Sequence, residues 1–273
     1  MTEPVDPGVR VSIEADGVPF SALTWGDPGD RPLLLIHGVT ASAAIWWRVA
    51  PRLASGGRRV VAVDLPGHGR TGHATGRQRF IETAAVVGAF VLAAGLDASD
   101  LQVIGHSWGA MVSAALPAAG TRPATIVLLD PPAIPLSVIG AMADEPTWRT
   151  FDTLEEATAA VAATNPTWIT GDVRAAAEAI MEVDIAAARS VVLDNGDWDA
   201  GLAALADPAA TGIPVWVVRG EPAAGGLMLD WAAEAYAGRY GAEHVITIPG
   251  GPHSPQRTHL EATVAAFEHA LAG

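Results

Sequence analysis

The chain of 273 residues contains no cysteine and no lysine. Without cysteine there is no disulfide framework, no thiolate nucleophile and no thiolate-held metal. Without lysine there is no Schiff-base or serine–lysine chemistry, and all 16 basic residues are arginine. Positive charge is scarce altogether: 30 Asp and Glu against those 16 leave a net charge of −14. Nucleic acid or an anionic membrane would need a basic footprint, so neither is expected as a partner. Long apolar runs are missing too. The longest, Ala84 to Leu96, is broken by Gly88 and is too short to span a bilayer. The opening MTEPVDPGVR lacks the basic start and apolar stretch of a signal peptide. The expectation is a soluble, cytoplasmic protein. Half of the residues are apolar, which permits a sizeable core in one large domain or two small ones.

Val9 to Ile13 and Pro19 to Trp25 flank Ala15-Asp16-Gly17 and predict an opening hairpin. Six short apolar runs follow: Leu33–Ile36, Val60–Val63, Leu101–Ile104, Thr125–Leu129, Val215–Val218 and Val245–Ile248. Bounded by Gly, Pro and Asp, such runs fit strands buried on both faces of a parallel sheet. Helical patterns over Ala41–Ala54, Arg79–Ala94, Trp108–Ala119, Met228–Tyr240 and Thr258–Leu271 alternate with them. That alternation predicts an α/β fold with both sheet faces covered. The rhythm breaks once, between Leu129 and Val215, where Asp152–Thr164 and Asp172–Asn195 are Ala-rich and helical in pattern. An insertion at the carboxyl ends of parallel strands lies over the crevice where such sheets bind ligands. Residues 133–207 are therefore assigned as a lid over a core of 1–132 and 208–273.

Gly105-His106-Ser107-Trp108-Gly109 follows a strand and opens a helix, the context a G-x-S-x-G nucleophile elbow requires. The small flanking residues permit a sharp turn that pushes the serine out above the sheet. A turn with a capping serine would give the same local pattern. Acyl transfer also needs N–H donors aimed at the developing oxyanion. By position these are the backbone groups of Trp108 and of Val39, after His37-Gly38 at the end of the third strand. Of the eight histidines, His253 lies in the loop between the last strand and the last helix, and can reach the crevice that holds Ser107. His259 and His269 fall within the last helix, and His244 precedes its strand. His253 is the expected base.

These residues, with Asp64-Leu65-Pro66-Gly67-His68-Gly69-Arg70 after the fourth strand, resemble the α/β-hydrolase superfamily over nearly the whole chain. The resemblance implies a mostly parallel sheet of about eight strands, flanked by helices, with a helical lid inserted after the sixth. It is similar to the lid-bearing branch that holds haloperoxidases, carbon–carbon-bond hydrolases, haloalkane dehalogenases, epoxide hydrolases and lactonases. Dehalogenases and epoxide hydrolases carry aspartate at the elbow, whereas this chain has Ser107. In most relatives the acid partner of the histidine stands near the position of Ala223, which has no carboxylate. Two candidates remain: Asp130, at the end of the sixth strand, and the alternative Glu221, in the loop Arg219-Gly220-Glu221-Pro222. Asp130 is favoured, because some dehalogenases and lactonases are similar in placing the acid at that strand end.

Nine tryptophans against two tyrosines is an unusual balance. Trp47, Trp148 and Trp168, with Met142, Phe151, Ile169 and Met181, are candidates to line an apolar pocket, although packing of lid on core would use the same residues. No spacing of His, Asp and Glu fixes three metal ligands, and no cofactor is expected. The expected activity is a serine hydrolase cleaving a carboxylic ester or lactone of an apolar small molecule. The alternatives are carbon–carbon-bond hydrolysis of a ring-cleavage product, or a non-catalytic small-molecule receptor on the same fold. Oligomeric state is not legible.

Overall fold

A computed structural model describes residues 8–73, 76, 78–133, 150–196, 198 and 211–272. Strands β1 (Val9–Ala15) and β2 (Val18–Trp25) pair antiparallel, with Ala15 opposite Val18. The two residues between them, Asp16 and Gly17, are both at positive φ, as a tight hairpin turn demands. Then come β3 (Arg31–Ile36), β4 (Arg58–Val63), β5 (Gln102–His106), β6 (Thr125–Leu129), β7 (Val215–Arg219) and β8 (Val245–Thr247). All eight form one sheet in the order β1-β2-β4-β3-β5-β6-β7-β8, antiparallel as far as the β2–β4 pair and parallel from β4 onward.

The helices described are α1 (Ala50–Ser55), α2 (Phe80–Ala93), α3 (Trp108–Ala115), α4 (Leu154–Thr164), α5 (Thr170–Glu182), α6 (Ile185–Leu193), α7 (Asp230–Tyr240), α8 (Pro255–Thr258) and α9 (Leu260–Ala272). The central strands β3 to β7 are mainly apolar because both of their faces are covered. Leu34, Ile36 and Val63 pack with Phe20, Phe90 and Trp108 on one side. Leu33, Leu35 and Val60 pack with Trp46, Leu53 and Phe267 on the other. Each such side chain removed from water contributes roughly 1.5–3 kcal/mol, so the sheet is a rigid platform for the loops at its carboxyl edge.

Between β6 and β7 the chain leaves the sheet for the helical insertion that carries α4, α5 and α6. Ala157, Val161, Val173 and Ala177 give the insertion a small core of its own, with Phe151, Trp168 and Ile180 packed against it. Polar ties fasten it to loops of the sheet. Asp184 N–H donates to Gly67 O at 2.8 Å, and Asn195 Oδ1 accepts from Phe80 N–H at 2.8 Å. Among the described residues no helix is long and apolar enough to cross a membrane.

Three helical expectations need correction. Ala41–Ala54 is not one helix: a 3-10 turn covers Ala43–Trp46 and α1 begins only at Ala50, with Pro51 in its first turn. Proline has no N–H to give and is tolerated only there. Asp172–Asn195 is broken at Val183, because the Asp184 carboxylate caps a new helix by accepting from Ala186 and Ala187 N–H. The helix after the elbow stops at Ala115, two residues before Pro117, since proline has no N–H with which to extend the helical ladder.

Candidate active site

In the sheet order the chain passes from β3 outward to β4 and then returns to β5 on the other side of β3. A crevice opens at the carboxyl ends of strands where the order reverses in this way. Two loops meet there, because Ile36 pairs with Gly105 across β3 and β5. Ser107, directly after β5, is held at φ 55° and ψ −120°, a conformation that side chains rarely adopt. Its neighbours explain how. A Cβ on Gly105 would lie 2.1 Å from Gly109 O, and one on Gly109 would lie 2.4 Å from Ile36 O. Both positions must be glycine for β5, α3 and β3 to close around the elbow. Ser107 N–H is anchored on Leu129 O at 2.9 Å, and the residue is 9% exposed.

His253 reaches this serine from the loop after β8. Ser107 Oγ–H donates to His253 Nε2 at 3.0 Å, and His253 Nδ1–H donates to Asp130 Oδ2 at 2.6 Å. This tautomer follows from the partners, since the carboxylate only accepts. Asp130 is fully buried at the end of β6, and Gly220 and Leu227 N–H also donate to its carboxylate at 2.9 and 2.8 Å. The carboxylate is thus fixed by the loop after β7. Glu221 does another job in that loop: its carboxylate accepts from Gly250 N–H at 2.8 Å, and its own N–H donates to Gly251 O. Glu221 braces the loop that carries His253, while Asp130 and Ser107 engage the ring.

Val39 lines the crevice at the end of β3. Trp108 is the first residue of α3, so its amide has no acceptor within the helix. The turn after β4 supports both. Asp64, fully buried, accepts from Ala43 N–H at 2.7 Å, from Arg10 at 2.9 Å and from Arg70 N–H at 3.2 Å. His37 donates through Nδ1 to Gly38 O and accepts Leu65 N–H through Nε2. The rings of His37, His68 and Trp108 pack tilted or edge-on, with centroids 5.1–6.4 Å apart. Burial pushes His37 below its ordinary pKa and His68 down to about 3, so both are neutral at pH 7.

A cavity of about 530 Å³ opens over Ser107 and His253. Gly38, Val39 and His106 bound it from the core, and Phe151, Val161, Trp168 and Ile180 from the insertion. Of the sequence-derived pocket residues, Phe151 and Trp168 face it. Trp47 does not: its indole Nε1 donates to Asp172 Oδ1 at 2.9 Å, joining core to insertion beside a separate groove. Met181 and Ile169 are exposed on the insertion. Met142 and Trp148 lie outside the described residues.

Sequence reasoning passed over His106 and Arg257. His106 Nε2–H donates to His253 O at 2.9 Å, so the residue before Ser107 positions the backbone of His253. Burial holds its pKa well below the ordinary value, with the charges of His253 and Arg257 adding to the effect. Arg257 stands one helical turn beyond His253, 7% exposed, in the cavity wall. The signal for His106 was its place inside the elbow motif. For Arg257 no local pattern exists, because its contacts come from the distant insertion.

The alpha/beta hydrolase family pattern matches residues 33–266, and the chain belongs to that family. It is 38% identical over 110 residues to the dihydrolipoyllysine-residue acetyltransferase component of the acetoin cleaving system of Pseudomonas putida, covering 39% of this chain and 28% of that one. It is 39% identical over 113 residues to lipase LipV of Mycobacterium tuberculosis, covering 39% and 40%. The match thus spans less than half the length of these curated relatives. Over nearly its full length the chain superposes on E-2-(acetamidomethylene)succinate hydrolase with a TM-score of 0.82 at 20% identity, covering 97% of this chain and 99% of that one. That likeness concerns the fold.

Proposed function

We propose that the protein is a cofactor-independent serine hydrolase that cleaves a carboxylic ester or lactone through an acyl-enzyme on Ser107. The observation that carries this reading is the unbroken hydrogen-bonded line from Asp130 through His253 to Ser107, at 2.6 and 3.0 Å, opening on a cavity of about 530 Å³. The 39% identity to a lipase supports it. Ser107 Oγ attacks the substrate carbonyl carbon as its proton passes to His253 Nε2. Asp130 fixes the ring and stabilises the imidazolium. Backbone N–H groups of Val39 and Trp108 hold the tetrahedral oxyanion. Collapse expels the alkoxide, which takes the proton from His253. Water, giving a proton to His253, then attacks the acyl carbon, and the serine recovers its hydrogen as the acid leaves. With a lactone the alcohol remains attached, and the product is a hydroxy acid.

In the same reading residues 133–207 are the cap and 1–132 with 208–273 the catalytic core. The substrate is a small molecule with an apolar body, matching Phe151, Val161, Trp168 and Ile180 in the cavity wall. A panel of p-nitrophenyl esters and lactones, run against wild type and Ser107→Ala, tests the activity. Turnover in wild type and its loss in Ser107→Ala is the expected outcome, unchanged by EDTA. Equal turnover in both, or activity removed by EDTA and restored by zinc, would overturn the reading.

A further inference from the structure

We propose that Arg257 anchors a carboxylate of the substrate, so that the ester or lactone opened at Ser107 carries an anionic group. This rests on the hydrolase reading of the same cavity and narrows its substrate class. Arg257 lines that cavity together with Ser107 and His253. Its guanidinium lies 4.1 Å from the centre of the Trp168 ring, which also lines the cavity. One nitrogen, Nη1, donates to the main-chain oxygen of Asp172 at 2.8 Å. Among the described residues, Nε and Nη2 find no acceptor, and Nε is wholly buried.

Among the described residues no carboxylate oxygen accepts from Arg257, where a buried guanidinium ordinarily has one of its own. Asp172 is nearest to that role, but both of its oxygens are engaged. Oδ1 accepts from Trp47 Nε1 at 2.9 Å and Oδ2 from Arg48 at 3.1 Å. Two guanidiniums thus share one carboxylate. Asp130 offers no relief, because it lies beyond the His253 ring and is filled by that ring and two amides. His106, also in the wall, is neutral. Burial lowers the Arg257 pKa only to about 10, so the group stays cationic wherever a histidine base works. A planar guanidinium with a donor to spare in the wall of a largely apolar cavity is an ordinary receptor for a carboxylate. It matters more in a chain of net charge −14, whose overall field disfavours anions.

The test pairs p-nitrophenyl hemiesters of succinic, glutaric and adipic acid with neutral acyl esters of the same length, and reads the ratio of kcat/KM within each pair. Wild type should prefer the charged member by at least about tenfold at one length, the scale of one charge-assisted hydrogen bond. Arg257→Gln should reduce that ratio at least about tenfold, and Arg257→Lys should retain part of it. A merely structural arginine, tying insertion to core, would lower both members alike and leave the ratio unchanged; that result overturns the proposal, as does a wild type that prefers the neutral esters at every length. Binding is read separately from catalysis by calorimetry of glutarate and glutaramide with Ser107→Ala. Saturable binding of glutarate alone, lost when Arg257→Gln is added, is expected. If no ester is turned over, the hydrolase reading falls while this binding still upholds the anion site. Failure of glutarate to bind overturns the site itself.

Discussion

Each member of the Ser107–His253–Asp130 line is tied down through its own main chain. Ser107 N–H is fixed on Leu129 O, Asp130 N–H on Val218 O, and His253 O by His106. This rigidity makes single-residue predictions sharp. A fluorophosphonate should add to Ser107 and raise the intact mass by one adduct; labelling that survives in Ser107→Ala would refute the nucleophile. Asp130→Asn keeps the shape but removes the charge that holds the tautomer, and the corresponding change in a serine protease triad costs about 10⁴-fold in kcat. Glu221→Gln retains a side-chain acceptor for Gly250 N–H and should cost about tenfold or less. The reverse ranking, in variants shown folded by circular dichroism, would move the acid to Glu221. Catalysis requires neutral His253, so kcat/KM should rise with pH through one ionisation. Burial shifts His37, His68 and His106 below the ordinary histidine range, His68 to about 3. A flat profile from pH 5 to 9 would exclude a histidine base. The sequence singled out Ser107 and His253 because each stands in a motif at a strand end. It favoured Asp130 over Glu221 only through a resemblance, because both follow strands and only the fold shows which carboxylate meets the ring.

At the scale of elements, the elbow depends on backbone meeting backbone. A Cβ on Gly105 would also lie 2.3 Å from Ser113 Oγ, so Gly105→Ala has to push α3 away from β5. The cost should be at least about 1–3 kcal/mol, read as a lower urea midpoint, with slower fluorophosphonate labelling because Ser107 shifts. Unchanged stability would mean that α3 moves freely. The insertion has a comparable point of dependence in Asp172, which is buried and holds Trp47 and Arg48 at once. Asp172→Ala should speed amide exchange in α4, α5 and α6 while the central strands stay protected; uniform acceleration across the chain would show that the insertion does not open separately. The strands were legible because two-sided burial writes itself as short apolar runs. Trp47 was misread because its partner stands 125 residues away, and a tryptophan after an oxyanion loop looks the same in sequence whether it faces substrate or a carboxylate. The broken helices were misread for a local reason: Pro51 and the capping carboxylate of Asp184 outweigh an otherwise continuous helical pattern.

Across the whole molecule, buried histidines and acidity pull stability in opposite directions as pH falls. His37, His68 and His106 are buried and uncharged. Each has its folded-state pKa below the ordinary 6.5, His68 at about 3, with desolvation the largest cause in every case. Below about pH 6.5 the unfolded chain takes up protons on these rings and the folded chain does not. The stabilisation is therefore complete above that pH and is lost as pH drops toward the folded-state values. For His68, whose folded-state pKa is about 3, the loss is about 1.4 kcal/mol per pH unit across that range, on a scale where total stability is about 5–15 kcal/mol. The net charge of −14 acts the other way, since protonating surface carboxylates relieves repulsion as pH approaches the isoelectric point near 4.8. Three rings titrating from pH 6.5 start their loss well before most carboxylates take up protons, so the histidines should dominate between pH 6.5 and 5. Urea midpoints measured from pH 7.5 to 5 should fall steadily across that window. His68→Gln, which removes one titrating ring, should flatten the slope whatever it does to the absolute midpoint. A midpoint that holds level or rises down to pH 5, or a slope that His68→Gln leaves unchanged, would show that charge relief governs the acid limb and that the buried rings do not.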